Sequence, residues 1–464
     1  MQSLTGRSLI TIDDLSNGEI EAIFSIADEM ADYIDKKNGK DLCSQFLMAS
    51  LFYEPSTRTR LSFESAMKRL GGDVLSVTDV QATSLSKGES LSDSIRVIGG
   101  YVDLIVLRHS WEGAAKIADD FAGIPVINGG DGEHEHPTQT LCDLYTIKKR
   151  KGTIEGLNIA VCGDLKHARA IHSLLYALAR FGANIISVPG NNLEIPEYVE
   201  KRLTSEYGLE VKKTKQSDIK NLLGDMPIDA IYMTPSQSHQ LAFAFASSLD
   251  MELRVRMKVF DKLIPHVDAL YLTRIQRERF ATPKEFSQAK KTYPVVDKAV
   301  LRLPKFQKAI VMHPLPRLDE LPYEIDKDKR SLYFQQARYG VPVRMALIAA
   351  LLGVKEVKTS QIPPRYKYKE YRNLNAFKCS NKKCASVIEA VFAKPSFSII
   401  SYTPLVLRCN FCDYELRPEY IGNKNTKKAH RSEKIERLHM NPDNLVFFHS
   451  KEEAVKQEYK IVNN

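Results

Sequence analysis

Apolar residues along the first three-quarters of the chain follow two alternating rhythms. Short unbroken apolar runs predict buried strands, and apolar residues three and four apart predict helices. After Leu9-Ile10-Thr11 comes the polar Asp13-Asp14-Leu15-Ser16, then a helical stretch over 19–33. Residues 45–52 predict a buried strand, and 62–70 a helix closed by Gly71-Gly72. Residues 104–107, Val126-Ile127, 157–161 and Ile185-Ile186-Ser187-Val188 predict central strands. Residues 309–312 and Leu332-Tyr333-Phe334 add late strands, and 344–352 a closing apolar helix. Strands alternating with helices predict an α/β fold with parallel sheets.

One internal repeat stands out. Asp229-Ala230-Ile231-Tyr232-Met233-Thr234 resembles Asp268-Ala269-Leu270-Tyr271-Leu272-Thr273, 39 positions on. Each copy has a glutamine three residues after its threonine, Gln237 and Gln276. Local duplication and two similar strand ends explain it equally well. After Gly353 the rhythm stops. A Pro363-Pro364 linker carries the basic, tyrosine-rich Arg365-Tyr366-Lys367-Tyr368-Lys369, and a small β-rich module and a polar tail follow.

Composition narrows the class. At 464 residues, 43% hydrophobic and 27% charged, the chain predicts a soluble globular protein of two or three domains. No apolar run approaches the ~20 residues of a membrane span, and the N-terminus lacks a signal-peptide pattern. A cytoplasmic location is the expectation. The net charge of +9 lies wholly after residue 354: 21 basic and 12 acidic residues follow it, and 45 of each precede it. Such a tail could meet nucleic acid, but a solvated surface or an acidic protein face is the preferred reading.

Of seven cysteines, Cys43, Cys142 and Cys162 are scattered in apolar settings. Cys379 and Cys384 form a C-x4-C pair, and Cys409 and Cys412 a C-x2-C pair. Two turn-borne thiolate pairs match a closed tetrahedral structural zinc site, with no open position for catalysis at the metal.

The segment Phe52-Tyr53-Glu54-Pro55-Ser56-Thr57-Arg58-Thr59-Arg60 ends an apolar strand and starts a helix near Ser56. Free backbone N–H groups, the positive helix end, three hydroxyls and Arg58 suit a phosphate. An ordinary capped helix with surface arginines is the alternative.

Here the residues resemble a known family. Ser-Thr-Arg-Thr-Arg after a strand is similar to the carbamoyl-phosphate motif of the transcarbamoylases. Ser84-Leu85-Ser86-Lys87-Gly88-Glu89, Arg108-His109, His136-Pro137-Thr138-Gln139, the run from Gly163 to Arg169, Thr273-Arg274-Ile275-Gln276 and His313-Pro314-Leu315-Pro316-Arg317 follow in family order. Lys87-Gly88-Glu89 and Arg274-Ile275-Gln276 resemble the aspartate enzyme specifically, and the ornithine enzyme carries His-Cys-Leu-Pro where this chain has His313-Pro314-Leu315-Pro316. Arg169, Arg274 and Lys87 also supply cations for a dicarboxylate acceptor.

The resemblance implies transfer of the carbamoyl group of carbamoyl phosphate to L-aspartate, a step of pyrimidine biosynthesis. It implies phosphate held by Ser56, Thr57, Arg58 and Thr59, and a carbonyl oxygen met by Thr59, Arg108 and His136. Gln139 and the carbonyls of Leu315 and Pro316 would take the amine, across a cis Leu315–Pro316 bond. Aspartate would be clamped by Arg169, Arg274 and Gln276, with Lys87 and a loop hydroxyl, Ser84 rather than Thr83 or Ser86, arriving from a neighbouring subunit of a catalytic trimer. The alternatives are another transcarbamoylase, such as the ornithine type, and a nucleic-acid-binding zinc ribbon. The cysteine spacing after 373–378 is similar to the zinc domain of the bacterial enzyme's regulatory chain, which grips the catalytic chain. The module is too short to include that chain's nucleotide-binding domain.

The expected architecture is α/β. It has two doubly wound parallel-sheet domains with the site in their cleft, plus a small C-terminal β-rich zinc module. Residues 1–137 bind carbamoyl phosphate, with helix 340–354 packing back on them. Residues 138–339 bind aspartate and hold an insertion near 228–266. A linker at 355–371, the zinc domain at 372–422 and a tail at 423–464 complete the chain.

Overall fold

A computed structural model describes residues 2–36, 41–78, 87–166, 169–190, 192–213, 228–234, 268–274, 282–284, 286–287, 295–303, 306–368, 370–372, 377–402, 404–433 and 444–462. The chain divides into two compact units, residues 1–138 with 344–464, and residues 139–343.

The first unit is built on a four-stranded parallel sheet of β1 (Leu47–Phe52), β2 (Asp73–Val77), β3 (Leu104–His109) and β4 (Val126–Asp131), in the order β2-β1-β3-β4. The central strands are buried nearly throughout, as parallel strands covered on both faces must be, whereas edge strand β2 is mostly exposed. Helix α1 (Asn17–Asp35) starts at a capping box in which Ser16 and Glu19 satisfy each other's backbone N–H. Helices α2 (Thr57–Arg69), α3 (Leu91–Gly99) and α4 (Ala114–Ala122) connect the strands.

Chain crossing to the second unit occurs inside α5 (Pro137–Lys151). A six-stranded parallel sheet follows: β5 (Asn158–Gly163), β6 (Asn184–Pro189), β7 (Lys212–Lys213), β8 (Ala230–Met233), β9 (Ala269–Leu272) and β10 (Ile310–Met312), ordered β10-β9-β8-β5-β6-β7. Its helices include α6 (Arg169–Arg180) and α7 (Glu197–Tyr207). The two copies of the repeat are β8 and β9. They pair in parallel with Ala230 opposite Ala269 and Tyr232 opposite Tyr271, whose rings stack 4.2 Å apart. The 39-residue offset is thus the sheet register itself. Most of the expected insertion, from 235 on, lies outside the described residues.

Two expectations need correction. Leu332-Tyr333-Phe334 is not a strand. The segment makes one isolated bridge, Ser331 to Val311, and Tyr333 opens α8 (Tyr333–Leu351), so the closing helix begins about ten residues early and runs through Pro342. Tertiary packing outweighs the β preference of two adjacent aromatics. The linker packs against the start of the chain: Arg365 pairs with buried Asp14 at 3.1 Å, and Leu4 N–H donates to the Val357 carbonyl. Residues 423–433 and 444–462 are no loose tail. Strands β15 (Tyr420–Asn423), β16 (Lys428–Arg431), β17 (Leu445–Phe448) and β18 (Lys460–Ile461) form a sheet in the order β17-β15-β16-β18, with helix α9 (Lys451–Lys456). Tyr420, Ala429, Phe448, Ala454 and Tyr459 make its core. Strands of two to four residues with isolated aromatics are too short to show a period in the sequence.

Between linker and C-terminal sheet lies an antiparallel sheet of β11 (Glu370–Arg372), β12 (Ser396–Tyr402), β13 (Leu405–Cys409) and β14 (Glu415–Leu416), in chain order. Within the first unit this module shares one hydrophobic core with the parallel-sheet part: Phe377, Phe397, Leu407 and Phe411 belong to the same cluster as Leu91, Ile95, Ala114 and Ile117.

Candidate active site and metal centre

In the first unit the candidate side chains lie where parallel strands end. Pro55 stops β1, and α2 starts with Thr57, Arg58 and Thr59 in its first turn. That turn carries no acidic residue, and Ser56 makes no side-chain cap bond to the backbone. Its hydroxyl donates instead to Thr59 Oγ1 at 3.1 Å. Thr57 and Arg58 are exposed, so the positive helix end faces solvent with donors around it. Arg60 turns away to pair with Glu64 at 3.4 Å.

Arg108, near the end of β3, is held by Glu54 at 2.8 Å and donates to the Gly129 carbonyl at 3.0 Å. Next to it Gly130 has φ +117°; a methyl there would lie 2.5 Å from Arg108 Nη1 and 3.6 Å from His136 Cδ2. Gly130 thus lies beside both Arg108 and His136, and any side chain there would crowd the Arg108 guanidinium. His109, beside Arg108, is neutral: burial pushes its pKa down to about 4, although Asp131 opposes this. One residue missed in the sequence reading is Arg344 on α8. It is buried, donates to Ser62 Oγ at 3.1 Å and to Thr138 Oγ1 at 3.3 Å, and stacks on Phe63, tying α2 to the start of α5. An arginine inside an apolar helical run was its only signal.

In the second unit, Gln139 opens the α5 portion and Arg274 lies two residues beyond β9, half-buried. The Leu315–Pro316 bond is cis and Leu315 has φ +56°. Three anchors hold this loop. His313 Nδ1 accepts the Leu315 N–H at 2.8 Å, and its Nε2 lies 3.1 Å from Glu320. The His313 N–H donates to Gln336 Oε1 at 2.9 Å. Arg317 forms a two-pronged pair with Asp326, donates to Tyr333 Oη at 2.8 Å and lies over the Tyr323 ring. Lys87 is exposed, while Ser84 and Gln276 lie outside the described residues, and Arg169 is the first residue of α6.

The four cysteine sulfurs lie within 4.8 Å of one another and are all buried. Cys379 and Cys412 are 3.6 Å apart, and Cys384 and Cys409 are 3.8 Å apart. Tetrahedral Zn–S bonds of ~2.3 Å require sulfur separations near 3.8 Å, so the set fits such an ion. Hydrogen bonds from the other three thiols hold the Cys384 thiol well below the usual range.

Within the first unit this centre is bolted to the parallel-sheet part at its knuckles. Glu112 N–H donates to the Lys383 carbonyl at 3.1 Å, Ala385 N–H donates to the Glu112 carbonyl at 2.8 Å, and Asn381 donates to the Glu112 carboxylate at 2.6 Å. Lys383 pairs with Glu133, and Glu389 accepts from Leu91 N–H and Ser92 Oγ. His134 sits between Asp131 at 3.1 Å and Asp413 at 3.3 Å. Base stacking by a nucleic-acid-binding ribbon needs exposed aromatics beside the centre; Phe411 is buried there and Tyr414 is exposed.

Comparison with known proteins agrees with this arrangement. The chain matches the carbamoyl-phosphate-binding domain of aspartate/ornithine carbamoyltransferases over residues 7–149 and their Asp/Orn-binding domain over 226–351. Residues 372–421 match the metal-binding domain of the aspartate carbamoyltransferase regulatory chain. Fold and site thus define a carbamoyltransferase. The aspartate carbamoyltransferase catalytic subunit of Thermoplasma acidophilum is 43% identical over 353 residues, covering 75% of this chain and 99% of that protein. The solved catalytic subunit from M. jannaschii aligns with a TM-score of 0.58 and 40% identity, over 75% of this chain and 98% of that one. The Trypanosoma cruzi aspartate transcarbamoylase in complex with N-(phosphonacetyl)-L-aspartic acid gives 0.58 and 34%, over 75% and 96%. This chain belongs to the aspartate carbamoyltransferase family.

Proposed function

We propose that the protein transfers the carbamoyl group of carbamoyl phosphate to the amine of L-aspartate, giving N-carbamoyl-L-aspartate and phosphate. The observation that carries this reading is the 43% identity across 99% of a catalytic subunit of that activity.

The phosphate is taken by the start of α2, with Ser56, Thr57, Arg58 and Thr59. Thr59, Arg108 and His136 surround the carbonyl oxygen and stabilise the negative charge that grows on it. Gln139 and the carbonyls of Leu315 and Pro316 accept from the carbamoyl NH2. Arg169, Arg274 and Gln276 hold the aspartate carboxylates, joined by Lys87 and Ser84 from a neighbouring subunit of a trimer. The neutral aspartate amine attacks the carbonyl carbon, the C–O bond to phosphate breaks, and phosphate leaves with the amine's proton. Fixing both substrates in line supplies much of the rate.

The metal is zinc, held by Cys379, Cys384, Cys409 and Cys412. It closes the two knuckles and takes no part in the reaction. The fused module keeps the grip on the parallel-sheet part of the catalytic chain. The protein acts in the cytoplasm, and among the described residues no helix is long and apolar enough to cross a membrane. Carbamoyl transfer assayed with aspartate and ornithine side by side tests the reading: activity with aspartate alone is expected, and equal or ornithine-preferring activity overturns it.

A further inference from the structure

We infer that Asp143 is a positioning residue that orients the amide of Gln139 toward carbamoyl phosphate. The inference rests on the proposed carbamoyl transfer and adds to it the source of selectivity for the carbamoyl NH2.

Asp143 stands one turn after Gln139 on α5, on the same helix face, and is buried at 2% exposure. An ionised carboxylate only accepts hydrogen bonds, and a buried one needs several donors. Three side chains from three separate elements supply them. Gln139 Nε2 donates to Asp143 Oδ1 at 2.8 Å, Gln336 Nε2 of α8 donates to the same oxygen at 2.9 Å, and Tyr271 Oη of β9 donates to Oδ2 at 3.0 Å. Burial and the negative Asp143 keep the Tyr271 hydroxyl protonated far above its ordinary range, so it remains a donor.

A glutamine amide has a donating and an accepting end, and its two orientations are nearly equal in shape. An acceptor-only partner decides between them. Gln336 demonstrates the effect: its Nε2 faces Asp143, and its Oε1 accepts the His313 N–H at 2.9 Å, at the root of the Leu315–Pro316 loop. Gln139 is fixed by the same oxygen in the same sense. Its Oε1 is therefore the end left to accept from a ligand, as a carbamoyl NH2 requires. One carboxylate thus sets the polarity of Gln139, braces the loop whose carbonyls take the same NH2, and grips β9 two residues before Thr273-Arg274.

The test is selective because acetyl phosphate replaces that NH2 by a methyl group of similar size. Equilibrium binding of carbamoyl phosphate and of acetyl phosphate is measured on the full-length protein, wild type and Asp143→Ala. The variant should lose about tenfold in affinity for carbamoyl phosphate and less than about twofold for acetyl phosphate, the scale of one oriented hydrogen bond. Asp143→Asn keeps one acceptor oxygen for both glutamines and should recover to within about threefold of wild type. In a Gln139→Met background, Asp143→Ala should change carbamoyl-phosphate affinity by less than about twofold, since the residue acts through Gln139. Where Asp143→Ala fails to fold, Asp143→Ser carries the same comparison. Parallel losses for both ligands, or no loss for either, overturn the inference. A wild-type protein that binds no carbamoyl phosphate would instead sink the proposed function.

Discussion

Two glycines flank α4, and they provide an internal control for the seam between the catalytic unit and the metal module. Gly113 precedes the helix with φ +84°, and Gly123 follows it with φ +68°. Alanine at either position must adopt a left-handed backbone, at about 1 kcal/mol. Only at Gly113 is the space filled. A methyl there would lie 2.5 Å from the Phe411 carbonyl oxygen and 2.7 Å from Phe411 Cβ, whereas at Gly123 nothing lies within 4 Å. Ordinary contact begins near 3.4 Å, so the seam must open by about 0.9 Å. Overpacking of that kind costs about 1–3 kcal/mol more. For a unit of this size the extra cost corresponds to roughly 3–9 °C in Tm. Phe411 lies between Cys409 and Cys412, so Gly113→Ala should also speed metal release to a chromogenic chelator, and Gly123→Ala should not. Thermal unfolding and metal-release rates of the two variants are the assay. Equal Tm losses, or unchanged metal release in Gly113→Ala, would refute the shared-core reasoning.

Other consequences follow from the same geometry. Stripping the metal with a chelator should lower the Tm of the first unit and open residues 377–433 to protease, because the four cysteines lie in the cluster that contains Leu91 and Ile117; an unchanged Tm would contradict this. Burial alone would lower the His134 pKa, but Asp131 and Asp413 outweigh it and raise it well above 6.5. Its contribution is then full below pH 6.5 and declines as pH rises through the folded-state value. The stability gap between wild type and His134→Gln should therefore narrow from pH 6 to pH 9 in urea titrations, and a constant gap would count against the two-carboxylate clamp. Arg274→Ala should raise KM for aspartate by at least about tenfold while affecting carbamoyl-phosphate binding little; an unchanged KM would remove Arg274 from the acceptor clamp.

The sequence by itself determined the alternation of strands and helices, the helix start at Ser56 and the two cysteine pairs. Each is a local matter: a period, a proline after an apolar run, or ligand spacing on adjacent turns. The register in which Tyr232 meets Tyr271 was present as a repeat, but its meaning was not, since duplication and similar strand ends give the same letters. Tertiary structure alone decided the rest. Leu332-Tyr333-Phe334 reads as strand by its own side chains, yet Tyr333 and Phe334 are drawn into a helix by what surrounds them. The aromatics of 420–459 are too scattered to announce a core, yet Phe448 and Tyr459 find each other across a sheet. Donors to Asp143 come from positions 139, 271 and 336, and the contact that fixes Gly113 comes from Phe411. Hydrogen bonds and steric limits between residues so far apart leave no local pattern, so only the folded chain brings them into view.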